Sequence, residues 1–216
     1  MPRQSTPHGT GGSLADLLAK VRTCRICRDR PIGPQLPHEP RPILRADATA
    51  TLCIAGQAPG TRVNTTGLPF NDPSGDRLRL WMGIERPKFY DASQIAIVPM
   101  GFCFPGLSEA GADLPPRGEC AGAWHDAIFA RLPALPLILA VGAFAQAYHL
   151  PGRAGANLTE TVRNWREIAA ATAADGRQII PLPHPSWRNS GWLKKNRWFE
   201  AELLPALRAA IAVAIG

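Results

Sequence analysis

Two short segments, each following a mostly apolar run, contain the residues best suited to chemistry. Motif one is Gly56-Gln-Ala-Pro-Gly60, after the run 52–55, and motif two is His184-Pro-Ser186, after the run 178–182. Runs of this kind that stop at Gly or Pro are typical of buried strands. Because ligand sites in open α/β sheets form at the carboxyl ends of strands, we expect the two motifs to meet at one site.

Four cysteines could bind a metal ion or a cluster. Cys24 and Cys27 form a C-x2-C pair, and Cys103 and Cys120 follow further along the chain. Thiolates are soft ligands that suit iron-sulfur clusters and zinc, and four cysteines alone do not separate these from unligated thiols. Cys53 lies inside the first apolar run, so we interpret it as a small buried hydrophobic residue.

A basic and aromatic segment follows motif two. It places Arg188, Lys194, Lys195 and Arg197 among three tryptophans. Such a segment can contact phosphates and wedge into an opened base stack, although a solvated helix face would also be basic. The chain has 24 Lys and Arg against 17 Asp and Glu, a net charge of +7 that favours a polyanionic partner.

Together these features resemble the uracil-DNA glycosylase superfamily, whose two active-site motifs are similar to motifs one and two. The stretch Gly67-Leu-Pro-Phe70 is similar to the Gly-x-Pro-Phe of the family 4 and family 5 enzymes, which are the iron-sulfur type. The similarity runs from about Leu14 to Arg208. It implies a DNA-repair enzyme that hydrolyses the bond between deoxyribose and uracil, or another deaminated base, and leaves an abasic site. Neither motif contains a Lys for a Schiff base, which predicts a monofunctional enzyme.

The resemblance also implies roles for individual residues. Phe70 occupies the position that stacks on the base, and His184 matches the residue that approaches the O2 side of uracil. Ser186 and the backbone amides of Gln57 and Ala58 are expected to bind base or phosphate oxygens. The ligands of a [4Fe-4S] cluster, with zinc the less favoured alternative, would be Cys24, Cys27, Cys103 and Cys120.

The carboxylate that activates water is absent from motif one. Some relatives have Asp where this chain has Ala58, and family 4 has Glu where this chain has Gln57. We therefore expect Asp72 to act on the water, with Asp76 as the second choice and Gln57 next if neither matters.

The residue that reads the edge of uracil is also replaced. The family Asn aligns with Pro99 or Met100, so Asn71 or backbone amides would have to supply its hydrogen bonds. A less selective pocket could then admit hypoxanthine or xanthine.

Two other functions stay open at this stage. One is a catalytically weak nucleic-acid-binding member of the same fold, which the residues Gln57 and Ala58 would permit. The other is a hydrolase that does not act on DNA and uses His184 with Cys120 or Ser186. The basic segment after motif two argues against the second.

The alternation of elements predicts an α/β fold, a three-layer α/β/α sandwich with a mostly parallel four-stranded sheet. A length of 216 residues suits one domain, 13–216, behind a disordered tail, 1–12. Ser13 is expected to cap a helix that leads to Cys24. Strands are expected at 52–55, 95–99, 137–141 and 178–182, and further helices at 74–83, 117–131, 143–149, 159–171 and 192–212.

Several partners and compartments are not expected. No window approaches the roughly 18 apolar residues of a spanning helix, and the first residues lack the apolar region of a signal peptide. There is no Gly-x-Gly-x-x-Gly and no P-loop lysine, which argues against a nucleotide cofactor. We expect a cytoplasmic monomer that binds DNA containing deaminated bases and no membrane.

Overall fold

The centre of the protein is a sheet of four strands, seen in a computed structural model that describes residues 12–174 and 176–216. The strand order is β2-β1-β3-β4, and every neighbouring pair is parallel. The strands are β1 (Leu52–Ala55), β2 (Ile95–Ile97), β3 (Leu137–Val141) and β4 (Gln178–Leu182). Three of them have the predicted bounds. The second is shorter than predicted, although a hydrogen bond of 3.0 Å from Val98 N to Ile54 O continues its pairing with β1.

Helices cover both faces of this sheet, as predicted. Because successive strand residues point to opposite faces, Cys53 and Ala55 enter one hydrophobic cluster while Leu52 and Ile54 enter another. The predicted three-layer α/β/α architecture is therefore confirmed. The helices are α1 (Leu14–Arg22), α2 (Ile26–Asp29), α3 (Thr61–Thr66), α4 (Pro73–Met82), α5 (Arg86–Phe89), α6 (Gly118–Cys120), α7 (Asp126–Phe129), α8 (Ala143–His149), α9 (Leu158–Arg163), α10 (Trp165–Ala174), α11 (Ser190–Lys195) and α12 (Leu204–Ile215).

Three predicted helices are interrupted. A π-helical segment, Ala121–His125, lies between α6 and α7, and α9 ends at Asn164 before α10 begins. The predicted helix 192–212 is broken at Asn196, whose side chain donates to the Trp192 carbonyl at 2.8 Å and so ends α11. A second π-helical segment, Phe199–Leu203, then leads into α12.

The helix before Cys24 begins at the predicted cap. The Ser13 hydroxyl accepts from Asp16 N at 3.2 Å, and the Asp16 carboxylate accepts from Ser13 N at 3.0 Å, which together form a capping box. The expected tail, 1–12, lies outside the described residues except for Gly12. Within the described part of the chain, no helix is both long and apolar enough to cross a membrane.

The proline-rich segment before β1 covers the outer edge of the sheet. Arg45 forms an antiparallel bridge with Ile97, with backbone hydrogen bonds of 3.0 and 2.7 Å. Ile43 N donates to Phe102 O at 2.7 Å, which places Ile43 beside the carboxyl end of β2. At this edge the backbone N–H and carbonyl of Ile97 are therefore already engaged by Arg45.

Candidate active site

A pocket of about 330 Å³ opens at the carboxyl edge of the sheet. Its wall is formed by the loops that follow β1, β2 and β4 and by the chain between α3 and α4. Strands β2 and β3 lie on opposite sides of β1, so the chain leaves the sheet in different directions here. Ligand sites of open α/β sheets occur at such points.

Motif one forms the floor of the pocket and is fixed by the loop after β2. Met100 N donates to Gly56 O at 3.0 Å, and Gly101 N donates to Gln57 O at 2.9 Å. Gln57 and Ala58 both line the pocket. A Cβ at Gly56 would lie only 3.1 Å from the ring of Phe70, so the glycine permits the close approach of the aromatic ring.

Phe70 lies in the pocket wall with a strained backbone. Its φ of 54° is in the left-handed region, where non-glycine residues are uncommon. The neighbouring carbonyl of Pro69 accepts from the Tyr90 hydroxyl at 2.9 Å, and the Phe70 ring packs edge-on against Phe89. Such strain clusters at ligand sites, where surrounding contacts maintain it.

Asp72 lines the pocket and also caps α4. One of its carboxylate oxygens, Oδ1, accepts from Gly75 N at 2.9 Å. Asp76, the second candidate from the sequence, is exposed, pairs with Arg79 and does not line the pocket. Asn71 is also not part of the pocket lining, and its Oδ1 accepts from Arg86 Nη2 at 2.8 Å.

His184 faces the same pocket from the loop after β4. Its carbonyl accepts from Asn189 Nδ2 at 2.7 Å, which fixes the turn of motif two. Burial lowers the pKa of His184 below its ordinary value of 6.5, and the charges of Asp72 and Asp113 oppose that shift. The imidazole is therefore neutral at neutral pH and can donate one hydrogen bond without bringing a positive charge.

Arg77 joins the two sides of the pocket. From α4, its Nη1 donates to Ser186 O at 2.8 Å and its Nη2 donates to Ser190 Oγ at 3.2 Å. Motif two is thereby held against the helix that begins at Asp72.

The loop after β2 presents proline to the pocket. Pro99 lines it, whereas Met100 is buried in the hydrophobic cluster on the α1 side of the sheet. The family Asn aligns with either Pro99 or Met100. Pro99, the one of these that lines the pocket, has neither a polar side chain nor a backbone N–H.

The basic segment divides into two parts. Ser186 and Arg188 line the pocket, whereas Lys194, Lys195 and Arg197 are exposed further along, on α11 and just after it. Between the first two, Trp187 also lines the pocket and is 73% exposed.

Sequence reasoning placed Trp187 only within the basic and aromatic segment expected to wedge into the base stack, and it gave no site role to Asp113. Trp187 stands inside motif two's basic and aromatic tail, which was the available signal. Asp113 lines the pocket from the loop between β2 and α6, a stretch with no periodicity that would have indicated its position.

The four cysteines proposed as ligands come from three segments that pack together. Cys27 and Cys103 share a small buried cluster with Leu36, and the hydrogen bond with Cys120 lowers the pKa of Cys27 to about 7. Trp124 Nε1 donates to Cys24 Sγ at 3.3 Å, and Phe102 N donates to Cys120 Sγ at 3.4 Å. Over the described ranges, no three His, Cys, Asp or Glu side chains are arranged around the position of one metal ion.

Cys53 lies apart from this group. It is fully buried inside β1, and burial raises its pKa to about 12. An inert hydrophobic role, as interpreted from the sequence, agrees with that environment.

The model of the uracil DNA glycosylase superfamily matches residues 45–208. The chain belongs to this superfamily. Its members act on DNA and are generally glycosylases that hydrolyse the bond between base and sugar, and the matched residues include both motifs. The match begins after Cys24 and Cys27, so it does not extend to the N-terminal pair of the four cysteines.

The close contact between Gly75 and Phe70 generates a first prediction. Alanine usually stabilises a helix position by about 1 kcal/mol relative to glycine. Here its Cβ would clash with the backbone carbonyl of Phe70, so Gly75→Ala should destabilise the fold by about 1–3 kcal/mol or more in urea unfolding.

The matched control is Gly122→Ala, where the added Cβ would meet no described atom within 4 Å outside its chain neighbours and its own helix backbone. That variant should be as stable as the wild type or more stable, by up to about 1 kcal/mol. A Gly75→Ala protein that gained stability would show that Phe70 is not held by this contact.

Proposed function

We propose that the protein is a monofunctional DNA glycosylase that releases uracil and other deaminated bases and leaves abasic sites. The observation that carries this proposal is the convergence of Phe70, motif one and His184 on one pocket of about 330 Å³. Ligand pockets begin at roughly this size, which leaves room for one flipped base. No lysine is among the described residues of the pocket wall, in agreement with hydrolysis without a Schiff base.

Phe70 serves as the platform for the flipped base. Extrusion of a nucleotide costs a few kcal/mol, and stacking on an aromatic face returns about 1–3 kcal/mol. The Phe70 ring lies so close to Gly56 that a Cβ there would crowd it, which puts the ring directly beside motif one. A base stacked on this ring would have its oxygens near the amides of Gln57 and Ala58.

His184 stabilises the leaving group. When the bond from C1′ to the base nitrogen breaks, its electron pair stays on the base and spreads to the carbonyl oxygens. A neutral imidazole can donate a hydrogen bond to one of these oxygens, and a donor of this kind is typically worth about 10² to 10³ in rate. Burial of His184 supports the neutral form.

Asp72 supplies negative charge to the pocket wall. Its Oδ1 is occupied by the cap of α4, which fixes the carboxylate and leaves Oδ2 for the sugar or for water. The positive character that develops on the deoxyribose would be stabilised by this charge. Gln57, the other polar side chain of motif one, is available to orient a water or the base.

Base selection should be broad. Pro99, one of the two positions that align with the family Asn, offers no hydrogen-bond donor to the pocket, and the Asn71 side chain is engaged by Arg86. Contacts with the base edge then fall to Gln57 and to motif-one amides. These groups recognise carbonyl oxygens, which uracil, hypoxanthine and xanthine share.

DNA would approach over motif two and α11. Ser186 and Arg188 at the pocket would contact the phosphates next to the flipped nucleotide, and Lys194, Lys195 and Arg197 would contact phosphates further along. The exposed Trp187 lies where it can fill the space that the base leaves in the stack.

We also propose that Cys24, Cys27, Cys103 and Cys120 hold a [4Fe-4S] cluster. The donor set fits, because four soft thiols converge from three segments, and among residues 12–174 and 176–216 their hydrogen bonds are to each other and to N–H donors. Each iron of such a cluster takes one thiolate, so the sulfurs need not surround one metal position as zinc would require. A bound cluster would join the N-terminal segment to the loop after β2.

A nucleic-acid-binding protein without catalysis is the second candidate, since Ala58 removes the motif-one carboxylate. A hydrolase that pairs His184 with Cys120 is not supported, because Cys120 is buried and absent from the pocket lining.

The catalytic proposal predicts base release from oligonucleotides that carry uracil, hypoxanthine or xanthine, detected by alkaline cleavage at the abasic site. His184→Ala should lower the single-turnover rate by about 10² to 10³ and leave DNA affinity nearly unchanged. Because the pKa of His184 is lowered, the His184 contribution should stay constant between pH 8 and 6.5 and decline only in more acidic buffer. Phe70→Ala should in addition weaken capture of the flipped base.

A wild-type protein that binds these oligonucleotides tightly and releases no base would favour the non-catalytic alternative. Single-stranded and double-stranded substrates should both be tested, since the pocket accepts a base that has already left its stack.

The cluster proposal predicts a brown protein after anaerobic purification, with about four irons per chain. Cys103→Ser or Cys120→Ser should remove the colour and destabilise the loop after β2, whereas Cys53→Ser should keep the iron content. Thermal unfolding of each variant gives a readout that is independent of activity. A colourless protein with stoichiometric zinc, or with no metal after anaerobic reconstitution, would contradict the proposal.

The DNA interface predicts a change in salt dependence. Replacing both Lys194 and Lys195 by Gln should weaken binding to all sequences and reduce the slope of affinity against salt by about one counterion per lost contact. The preferred base should not change. Lys20→Gln with Arg22→Gln, two exposed charges on α1 outside the pocket, is the control with the same change in net charge. Equal slopes in the two double variants would assign Lys194 and Lys195 to a solvated face.

A further inference from the structure

Asp113 lies in the part of the pocket wall where motif one lacks its carboxylate. A side pocket of about 240 Å³ adjoins the main one, and the two share Gln57, Ala58, Asp113, His184 and Ser186 as lining residues. Asp113 and Ala58 thus border the same space. Relatives with a motif-one Asp have their carboxylate at the position of Ala58.

A short hairpin presents Asp113 to motif one. Leu107 and Asp113 form an antiparallel bridge, and Leu114 N donates to Gly106 O at 3.0 Å. Asp113 Oδ2 lies 3.6 Å from the position of a Cβ at Gly60, so the carboxylate is in van der Waals range of motif one.

The Asp113 carboxylate is available for a ligand. Across residues 12–174 and 176–216, no hydrogen bond or ion pair engages its side chain. Asp72 differs, because its Oδ1 is held by Gly75 N at 2.9 Å as the cap of α4. Of the two carboxylates in the pocket wall, Asp113 is the one with both oxygens unoccupied.

We propose that Asp113 binds and activates the water that attacks the sugar, while Asp72 stabilises the positive charge of the sugar. This assignment rests on the proposed glycosylase function. The bond between C1′ and the base nitrogen breaks with its electron pair on the base, and the water oxygen bonds to C1′. One proton of the water passes to the Asp113 carboxylate, which returns it to solvent. The released base takes a proton from solvent and leaves as the neutral base.

A carboxylate on the hairpin can approach the sugar from the same side as the motif-one carboxylate does in relatives. Ala58 has no group that could deprotonate water, and Gln57 is not a base at neutral pH. Loss of a general base typically costs about 10² to 10⁴ in rate. An exposed carboxylate also repels phosphate, so its removal should not weaken DNA binding.

The test compares Asp113→Asn, Asp72→Asn and Glu109→Gln in single-turnover cleavage of a uracil oligonucleotide, with DNA affinity measured in parallel. Glu109 is an exposed carboxylate on the same hairpin that does not line the pocket, so it controls for charge and for the loop. Asp72→Asn keeps the helix cap, because asparagine caps as well as aspartate.

We expect Asp113→Asn to lose about 10² to 10⁴ in rate at unchanged or tighter affinity, and to lose more than Asp72→Asn. Glu109→Gln should behave as the wild type.

Added formate separates a chemical role from a structural one. It should restore part of the rate of Asp113→Ala and none of the rate of His184→Ala. Near-normal cleavage by Asp113→Asn in an active background, or no rescue by formate, would overturn the assignment while leaving the glycosylase function intact. A wild-type protein that releases no base would overturn both.

Discussion

The backbone hydrogen bonds between the loops after β1 and β2 are the constraint on which the pocket depends. Pairing of the two strands continues past their ends, from Val98 to Ile54, from Met100 to Gly56 and from Gly101 to Gln57. The floor of the pocket is therefore an extension of the sheet and not a free loop. Pro99 is directed into the pocket because its neighbours are fixed on both sides, and motif one cannot shift without breaking this pairing.

A second frame holds the opposite wall. Phe70 adopts a left-handed conformation that costs about 1–3 kcal/mol, and the Tyr90 hydroxyl bonded to Pro69 offsets part of that cost. Arg77 connects α4 to Ser186 and Ser190, so motif two moves with the helix that Asp72 caps. Phe70 and the His184 imidazole are thus positioned by elements that are connected to each other through α4 and Arg77. Such preorganisation is what stabilisation of a transient anion requires.

The sequence predicted the sheet well because each strand is a buried apolar run bounded by Gly or Pro. The sequence also predicted that motifs one and two meet at one site, because both follow parallel strands whose carboxyl ends lie at the same edge of the sheet. The interruptions of two predicted helices at Asn164 and Asn196 were missed. The apolar periodicity of the sequence continues across both positions, whereas side-chain and backbone hydrogen bonds end the helix there. Nothing in the sequence around Asn71 indicated that its side chain would accept a hydrogen bond from Arg86. Asp113 could not be found, because its place depends on how an aperiodic hairpin folds against Gly60.

The short segment from Pro99 to Cys103 has a consequence for protein engineering. Its first residue lines the pocket and its last belongs to the cysteine group, and between them Phe102 N donates a hydrogen bond to Cys120 Sγ. A designer who replaces Pro99 to install a new base contact also alters the support of the thiols. Changes made from the α4 side, at Ser74 for example, reach the same cavity without that coupling. Libraries that aim at altered base preference should therefore diversify the α4 side first and leave the loop after β2 intact.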